Sequence, residues 1–221
     1  MKIAVVTGAS GNLGPIWCKV LEKEGYNVFK IDLPEHDITT PSKWMDDFIN
    51  VVPDVVVNNA AIDNPPGSQS SFFGNFSKIM EVNIGGAIYT GMFFIPKMIK
   101  NGGGLIVNIG SIQGNIGADW RNYDGNFEKP VGYNCSKAAL VQLSRSIAVQ
   151  YGRYNIRSVT LAFSAYDGGK LTKEFLDKFL KNVPLGRTIS KESLRAALIF
   201  ALNCPELTGQ QVIIDGGYLC F

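Results

Sequence analysis

The segment that most constrains the fold of this chain lies near its beginning. A short apolar run, residues 2–6, leads into a glycine-rich turn at residues 7–14, and a helical pattern continues to about Glu24. Glycines between a buried strand and a helix let the backbone approach a pyrophosphate, and the helix N-terminus offers free N–H groups. The segment therefore predicts a dinucleotide-binding unit. The residues expected next to the cofactor are Gly8, Ser10, Gly11, Asn12, Leu13 and Gly14.

The end of the second predicted strand, residues 27–31, carries the acid Asp32. In a dinucleotide-binding fold an acid at this place accepts hydrogen bonds from the adenosine ribose. The same carboxylate would repel a 2′-phosphate, and residues 8–18 contain no Arg or Lys, so NAD(H) is favoured over NADP(H). A turn or helix-cap acid is the alternative interpretation. The further contacts expected here are Leu33, Asp37 and Ile38, the last two near the adenine.

Strand and helix patterns alternate along the rest of the chain. Further buried strands are predicted at residues 54–57, 105–109, 157–161 and 211–214, and a short strand or turn at 36–39. Helices are predicted at residues 41–50, 73–100, 133–151, 171–181 and 190–203. This alternation predicts an α/β fold with a Rossmann-type, doubly wound parallel sheet of about seven strands. No linker or repeat interrupts it, so we expect a single domain over residues 1–221.

Small or polar residues follow or interrupt these elements at three places. Small and amide residues after the third strand, Asn59, Ala60 and Ala61, would let a cofactor pass close to the strand end. Asn83, beside two glycines on the long helix, is a satisfied core amide or marks a distorted backbone near a site. Ser111 follows a buried strand, where open α/β sheets bind their ligands, although a turn serine is the alternative.

Tyr133 and Lys137 are spaced to share one face of a helix. A free tyrosine has a pKa of about 10 and is a poor base at neutral pH. A lysine close by favours the phenolate, so we expect Lys137 to lower the pKa of Tyr133 and to make it a usable acid or base. Taken alone, the pair could equally be a surface contact.

Composition excludes several other classes of function. The chain is 46% hydrophobic and 18% charged, as in a soluble globular protein, and its net charge of +2 without a basic run argues against nucleic acid as partner. We expect no membrane span, and the first strand so near Met1 leads us to expect a cytoplasmic protein without a signal peptide. One histidine, His36, and four isolated cysteines predict no metal site and no Ser–His triad.

Taken in order, the glycine loop, residues 58–61, Asn83, Ser111 and Tyr133-x-x-x-Lys137 resemble the short-chain dehydrogenase/reductase family over essentially the whole chain. The resemblance implies that Tyr133 is the general acid/base and that Ser111 steadies the reacting oxygen. It also implies that Lys137 binds the nicotinamide ribose and that Asn83 holds a water for proton relay. The implied activity is NAD(H)-dependent interconversion of a secondary alcohol and a carbonyl in a sugar, polyol or hydroxy-acyl compound, by a homo-oligomer (tetramer or dimer).

The chain departs from the family pattern in two places. Asn12 stands where short members usually have glycine, a spacing similar to the sugar-nucleotide branch, and Asn tolerates left-handed backbone angles. Phe163 and Ser164 fall where the family reads Pro-Gly; we keep both as cofactor contacts and consider Thr172 as a substitute anchor for the carboxamide. These departures leave a non-catalytic NAD-binding homologue as the alternative. A sugar-nucleotide epimerase or dehydratase is less favoured, because the chain stops at the last strand.

The loop before Tyr133 and the chain end give weaker indications. Aromatic and cationic residues in this loop, together with residues 184–187, are similar to reductases of flagellin-modification and surface-sugar pathways. An aromatic loop of this kind could equally be a packed lid or a subunit contact. The apolar tail, residues 218–221, is expected to pack against another subunit. The cations that could meet an anionic substrate group are Arg121, Lys129, Lys170 and Arg187.

Overall fold

A computed structural model describes residues 1–64, 71–123 and 127–220. Its strands are β1 (Lys2–Thr7), β2 (Tyr26–Ile31), β3 (Val55–Asn58), β4 (Gly104–Ser111), β5 (Ile156–Phe163) and β6 (Gln211–Ile214). They form one sheet in the order β2-β1-β3-β4-β5-β6, and every neighbouring pair is parallel. The predicted Rossmann-type fold is confirmed. The strand count among the described residues is six, because residues 36–39 form a turn.

The helices lie where the periodicity placed them, with different lengths. They are α1 (Gly14–Lys23), α2 (Pro41–Trp44), α3 (Phe76–Met80), α4 (Gly86–Lys100), α5 (Val131–Tyr151), α6 (Lys173–Phe179) and α7 (Lys191–Asn203). The predicted helix at 41–50 is therefore only a single turn followed by irregular turns. The predicted helix at 73–100 is divided by a π-helical segment, Glu81–Gly85.

Two helical layers cover the sheet, and the strands between them are buried on both faces. Trp17 of α1 and Leu198 of α7 pack with Val57 on one face. On the other face, Phe94 of α4 and Ile147 of α5 form the core. Strands covered on both sides read as continuous apolar runs, as the valines of β3 do.

The order of the strands determines where a ligand can bind. From β1 the chain moves outward to β2 and then returns to place β3 on the opposite side of β1. Ligands of open parallel sheets bind outside the carboxyl ends of the strands at such a reversal. The reversal brings Thr7, Asn58 and Ser111, the last residues of their strands, to one edge.

By length and composition alone, Phe76–Lys100 could cross a membrane, but 44% of its most apolar window is buried, as in a core helix. The expectation of no membrane span stays a prediction. In the apolar tail, Tyr218 packs within its own chain, Phe221 lies outside the described residues, and contact of the tail with another subunit stays a prediction. Tyr218 stacks on Phe179 with ring centroids 4.8 Å apart, and its hydroxyl accepts a hydrogen bond from Asn122 Nδ2 at 3.1 Å.

Candidate active site at the carboxyl edge of the sheet

The glycine turn is held by close backbone contacts that only glycine permits. Gly8 has φ of +61°, and a Cβ there would lie 2.7 Å from Ala60 Cα. A Cβ on Gly14 would lie 2.3 Å from the carbonyl oxygen of Gly8. Asn59 ties the same turn to β3, since its Nδ2 donates to Gly8 O at 2.8 Å and its Oδ1 accepts from Trp17 Nε1 at 2.9 Å. The turn is a tight cradle at the N-terminus of α1.

The backbone of Asn12 does not adopt the left-handed angles that asparagine tolerates. The non-glycine residues with positive φ in the described chain are Asn75 and Asn155, so Asn12 needs no left-handed backbone. Its side chain lies against Gly168. A Cβ on Gly168, in the segment after β5, would lie 2.8 Å from Asn12 Oδ1.

Asp32 lies at the end of β2 and is bonded to the cradle. Its carboxylate accepts hydrogen bonds from the backbone N–H groups of Ser10 and Leu33, the latter at 2.9 Å. Asp37 and Ile38 have structural partners instead. Asp37 accepts from Thr39 N and Oγ1, which lowers its pKa below the ordinary value, and Ile38 is buried in the core. Their place beside an adenine stays a prediction.

A cavity of about 310 Å³ joins the cradle to the predicted catalytic pair. Its lining comprises Gly8, Gly11, Asn12, Leu13, Asn59, Ala61, Ile62, Asp63, Ile109, Gly110, Tyr133 and Lys137. A larger cavity of about 630 Å³ lies along α5, but it is lined by Asn134, Cys135 and Ala138 of this helix rather than by Tyr133 and Lys137. The smaller cavity is therefore the one with the relevant chemistry.

Tyr133, Lys137 and Ser111 come together in the fold. The Lys137 ammonium lies 5.5 Å from the centroid of the Tyr133 ring and donates to Ile109 O at 2.8 Å. Ser111, at the end of β4, forms a hydrogen bond to Tyr133 that lowers the pKa of the phenol. Its hydroxyl also accepts from Gln113 N at 3.1 Å.

Burial dominates the acidity of this pair. Desolvation raises the pKa of Tyr133 above its usual range, the Asp63 carboxylate acts in the same direction, and the Ser111 hydrogen bond opposes them only in part. Desolvation lowers the pKa of Lys137 to about 8, against the effect of Asp63. The expected lowering of the Tyr133 pKa is therefore not found, because removal from water and Asp63 raise it. The effect of Lys137 on the phenol stays a prediction.

Asn83 lies in the π-helical segment, so the expected backbone distortion beside Gly85 is confirmed. Such segments are frequent at functional sites. Its amide is fully engaged within the protein: Oδ1 accepts from Ile62 N at 2.8 Å, and Nδ2 donates to Ile62 O and Ser136 Oγ, each at 3.0 Å. This fits a satisfied core amide, and the water-holding role stays a prediction.

Phe163, the last residue of β5, and Ser164, which follows it, differ in their surroundings. Phe163 is buried and stacks on Trp17 with centroids 5.8 Å apart, so its side chain belongs to the core rather than to a cofactor site. Ser164 Oγ is buried without a hydrogen-bond partner among the described atoms. Thr172 caps α6, accepting from Phe175 N at 3.2 Å, and does not line the cavity.

Sequence reasoning missed several residues at this site. Ile62, Asp63, Ile109 and Gly110 line the cavity, and Lys129 forms an ion pair with Asp63. Gly110 stands directly before Ser111, and Asp63 lies two positions after Ala61, so both adjoin segments already singled out. The sequence predicted Lys129 only as a cation that could meet an anionic group of a substrate.

A parallel sheet with a glycine cradle at its reversal point, beside a helix carrying Tyr133 and Lys137, defines a protein of the Rossmann type, a fold that commonly binds dinucleotides. A nicotinamide dinucleotide fits two observations: the cradle excludes any Cβ at Gly8 and Gly14, and Ser164 holds an unpaired buried hydroxyl.

Comparisons with known proteins identify the family. The family model described as enoyl-(acyl carrier protein) reductase matches residues 21–219. An uncharacterized oxidoreductase of Thermotoga maritima is 33% identical over 74% of this chain and 66% of its own length. The chain belongs to the short-chain dehydrogenase/reductase family and is an oxidoreductase of that family.

Solved structures share the fold. A short-chain dehydrogenase of Leptospira borgpetersenii with bound NAD+ has a TM-score of 0.86 at 23% identity and covers 98% of this chain and 92% of its own. A gluconate 5-dehydrogenase of Burkholderia cenocepacia, in complex with NADP and tartrate, has a TM-score of 0.82 at 21% identity, covering 100% and 96%. Proteins of this fold thus bind either form of the dinucleotide.

Proposed function

We propose that this protein is an NAD(H)-dependent oxidoreductase that interconverts a secondary alcohol and a carbonyl, using Tyr133, Ser111, Lys137 and Asn83. The observation that carries the proposal is that Tyr133 and Lys137 line the same cavity as the glycine cradle. The cradle and Asp32 would hold the dinucleotide, with Ser164 available to its carboxamide end. When bound, the dinucleotide supplies or accepts the hydride.

The chain's own contribution is proton transfer and stabilisation of charge. Because burial and Asp63 raise the Tyr133 pKa, the phenol keeps its proton at neutral pH and is suited to donate it. The proton would pass to the carbonyl oxygen as hydride reaches the carbon, while the Ser111 hydroxyl donates to the developing negative oxygen.

A tyrosine replacement tests this function. Tyr133→Phe should retain NAD binding by calorimetry and lose about a hundredfold to ten-thousandfold in turnover, since proton transfer typically contributes 10²–10⁴-fold. Turnover would be followed at the nicotinamide absorbance over a panel of sugars, polyols and hydroxy acids. Tyr154→Phe, at a tyrosine 41% exposed in the 3-10 turn that follows α5, is the matched control. Undiminished turnover in Tyr133→Phe would refute the role.

The preference for NAD(H) is proposed from Asp32. Its carboxylate lies at the end of β2 and bonds the cradle through Ser10 N, where a 2′-phosphate would meet its negative charge. Calorimetry should give NAD at least tenfold tighter binding than NADP, and Asp32→Asn should narrow that ratio. Equal affinities in the unaltered protein would contradict the preference.

A non-catalytic NAD-binding homologue is the second candidate. The raised pKa of Tyr133 favours it, because such a phenol is a poor base for alcohol oxidation. NAD binding without turnover on any compound of the panel, in either direction, would support this candidate.

We also propose a cytoplasmic homo-oligomer, dimer or tetramer, acting on a small molecule. The α4 and α5 helices leave an apolar groove of about 260 Å³, with Ile88 41% and Met92 68% exposed beside it. Light scattering should give a mass of two or four chains, and Met92→Lys should weaken the assembly while Lys100→Met should not. Cell fractionation tests the location.

A further inference from the structure

A partly buried ion pair, Asp63–Lys129, lies beside the ring of Tyr133. Lys129 Nζ contacts Asp63 Oδ2, and the two side chains are 10% and 30% exposed. The Lys129 ammonium is 4.5 Å from the centroid of the Tyr133 ring, closer than the 5.5 Å of Lys137. Two ammonium groups therefore face the phenol ring, and the nearer one comes from outside the Tyr-x-x-x-Lys motif.

Both partners are fixed through their neighbours in the chain. Ile62, next to Asp63, is held by Asn83, which bonds both its N–H and its C=O. The segment of Lys129 is fastened to Phe72, whose N–H donates to Glu128 Oε2 at 2.8 Å and whose C=O accepts from Val131 N at 2.8 Å. The pair is thus supported on each side by hydrogen bonds that involve neither of its charged groups.

Three other polar side chains lie around the Tyr133 phenol. Ser111 comes from β4, Lys137 from α5, and Tyr123 from the loop before α5; Tyr123 is itself held protonated, because burial raises its pKa. Burial also lowers the pKa of Lys137 to about 8, so its charge is partly lost in mild alkali. Burial lowers the pKa of Lys129 as well, but Asp63 opposes this through both charge and a hydrogen bond.

We infer that Asp63 and Lys129 are positioning residues that set the acidity of the Tyr133 phenol in opposite senses. The Asp63 carboxylate disfavours the phenolate, and the Lys129 ammonium over the ring offsets it. Because the Lys129 side chain is 10% exposed and the Asp63 side chain 30%, water screens these charges less than it would on an open surface. The catalytic meaning of this pair rests on the proposed function, whereas its electrostatic effect does not.

The test reads the phenol directly and needs no substrate. The protein would be labelled with [¹³Cζ]tyrosine and titrated by NMR, with the Tyr133 signal assigned by its absence in Tyr133→Phe. In Asp63→Asn the phenol should become on the order of tenfold more acidic than in the unaltered protein. Adding Lys129→Gln to Asp63→Asn should reverse part of that change, severalfold, whereas adding Lys129→Arg should not.

The controls separate charge from structure. Asp47→Asn makes the same chemical change at the exposed pair of Asp47 with His36 and should leave the Tyr133 titration unchanged. Asp63→Ser replaces Asp63→Asn if the latter fails to fold. A purely structural pair would leave the Tyr133 titration of Asp63→Asn unchanged when Lys129→Gln is added, and that result would overturn the inference. Failure of Tyr133→Phe to reduce turnover would remove the proposed function and leave this titration intact.

Discussion

The two sides of the cleft are specified by different physics. On the cradle side, Gly8, Gly14 and Ala60 approach so closely that a single methyl group has no room. On the tyrosine side, a Cβ on Gly114 would also lie 2.8 Å from the backbone of Lys137, but what distinguishes this side is charge: Asp63, Lys129 and Lys137 surround one phenol. The shape of the cradle is determined by the residue types of short segments, whereas the acidity of the Tyr133 phenol depends on side chains far apart in the sequence.

The largest effect is expected from filling the cradle. In Gly14→Ala the new Cβ would lie 2.3–2.4 Å from the carbonyl oxygens of Gly8 and Ala9, so the turn or α1 must shift. We expect a loss of about 3 kcal/mol in the free energy of unfolding and at least a hundredfold in NAD affinity. Denaturant unfolding and calorimetry measure both. Gly152→Ala, with open space around its Cβ, should change neither the free energy of unfolding nor the NAD affinity. An unchanged NAD affinity in Gly14→Ala would contradict the view that close packing specifies the cradle.

On the tyrosine side, removing a charge should raise stability while destroying function. Lys137 is 4% exposed, and its pKa of about 8 in the fold lies below its ordinary 10.5. Between these values the unfolded chain binds more protons, so this group makes stability rise with pH. Lys137→Met should therefore stabilise the protein at pH 7 by about 1–3 kcal/mol. The variant should also lose the increase of stability with pH that Lys137 causes, and it should have no turnover. Urea unfolding at pH 7 and pH 10 checks this, with exposed Lys23→Met as control.

A smaller effect is expected at Thr172, which tests whether this residue is structural or cofactor-binding. Its hydroxyl caps α6 by accepting from Phe175 N. Thr172→Ala should cost about 1 kcal/mol of stability and leave NAD affinity unchanged, and Thr172→Ser should restore the stability. A fall in NAD affinity with unchanged stability would instead make Thr172 a nicotinamide anchor.

The smallest effect concerns Asp37. Its hydrogen bonds from Thr39 hold its pKa below the ordinary 3.8, so its contribution to stability is present above that pH and is lost as pH falls through the lower folded value. Asp37→Asn should lose less than about 1 kcal/mol at pH 7 and show a shallower decline in acid. Thermal unfolding from pH 7 to pH 2 tests this, and an unchanged acid decline would contradict it.

The cradle side could be predicted from sequence to a large extent. The strands, the glycine turn, Asp32 at the end of β2 and the placing of Ser111 all followed from patterns within about ten residues, and the fold confirms these positions. The helix at 41–50 was predicted too long, since α2 ends at Trp44 and irregular turns complete the segment.

The tyrosine side could not be predicted in the same way. Asp63 and Lys129 are 66 positions apart, so no local pattern joins them. The direction of the Tyr133 pKa was predicted wrongly because spacing reveals the neighbouring lysine but not the degree of burial. The weaker similarity to flagellin-modification and surface-sugar reductases stays a prediction.

The π-helical segment Glu81–Gly85 has a consequence for these charges. A π turn accommodates one residue more than an α turn, so deleting one residue within it would let an uninterrupted α-helix form. The side chains on both sides of the deletion would keep their faces, because the residue lost is the surplus one, but the widened turn that presents Asn83 would close. Asn83 would release Ile62, and Asp63 would lose the anchor of its neighbour. One surplus residue in a helix thus keeps a carboxylate in register with a phenol that comes from a distant part of the chain.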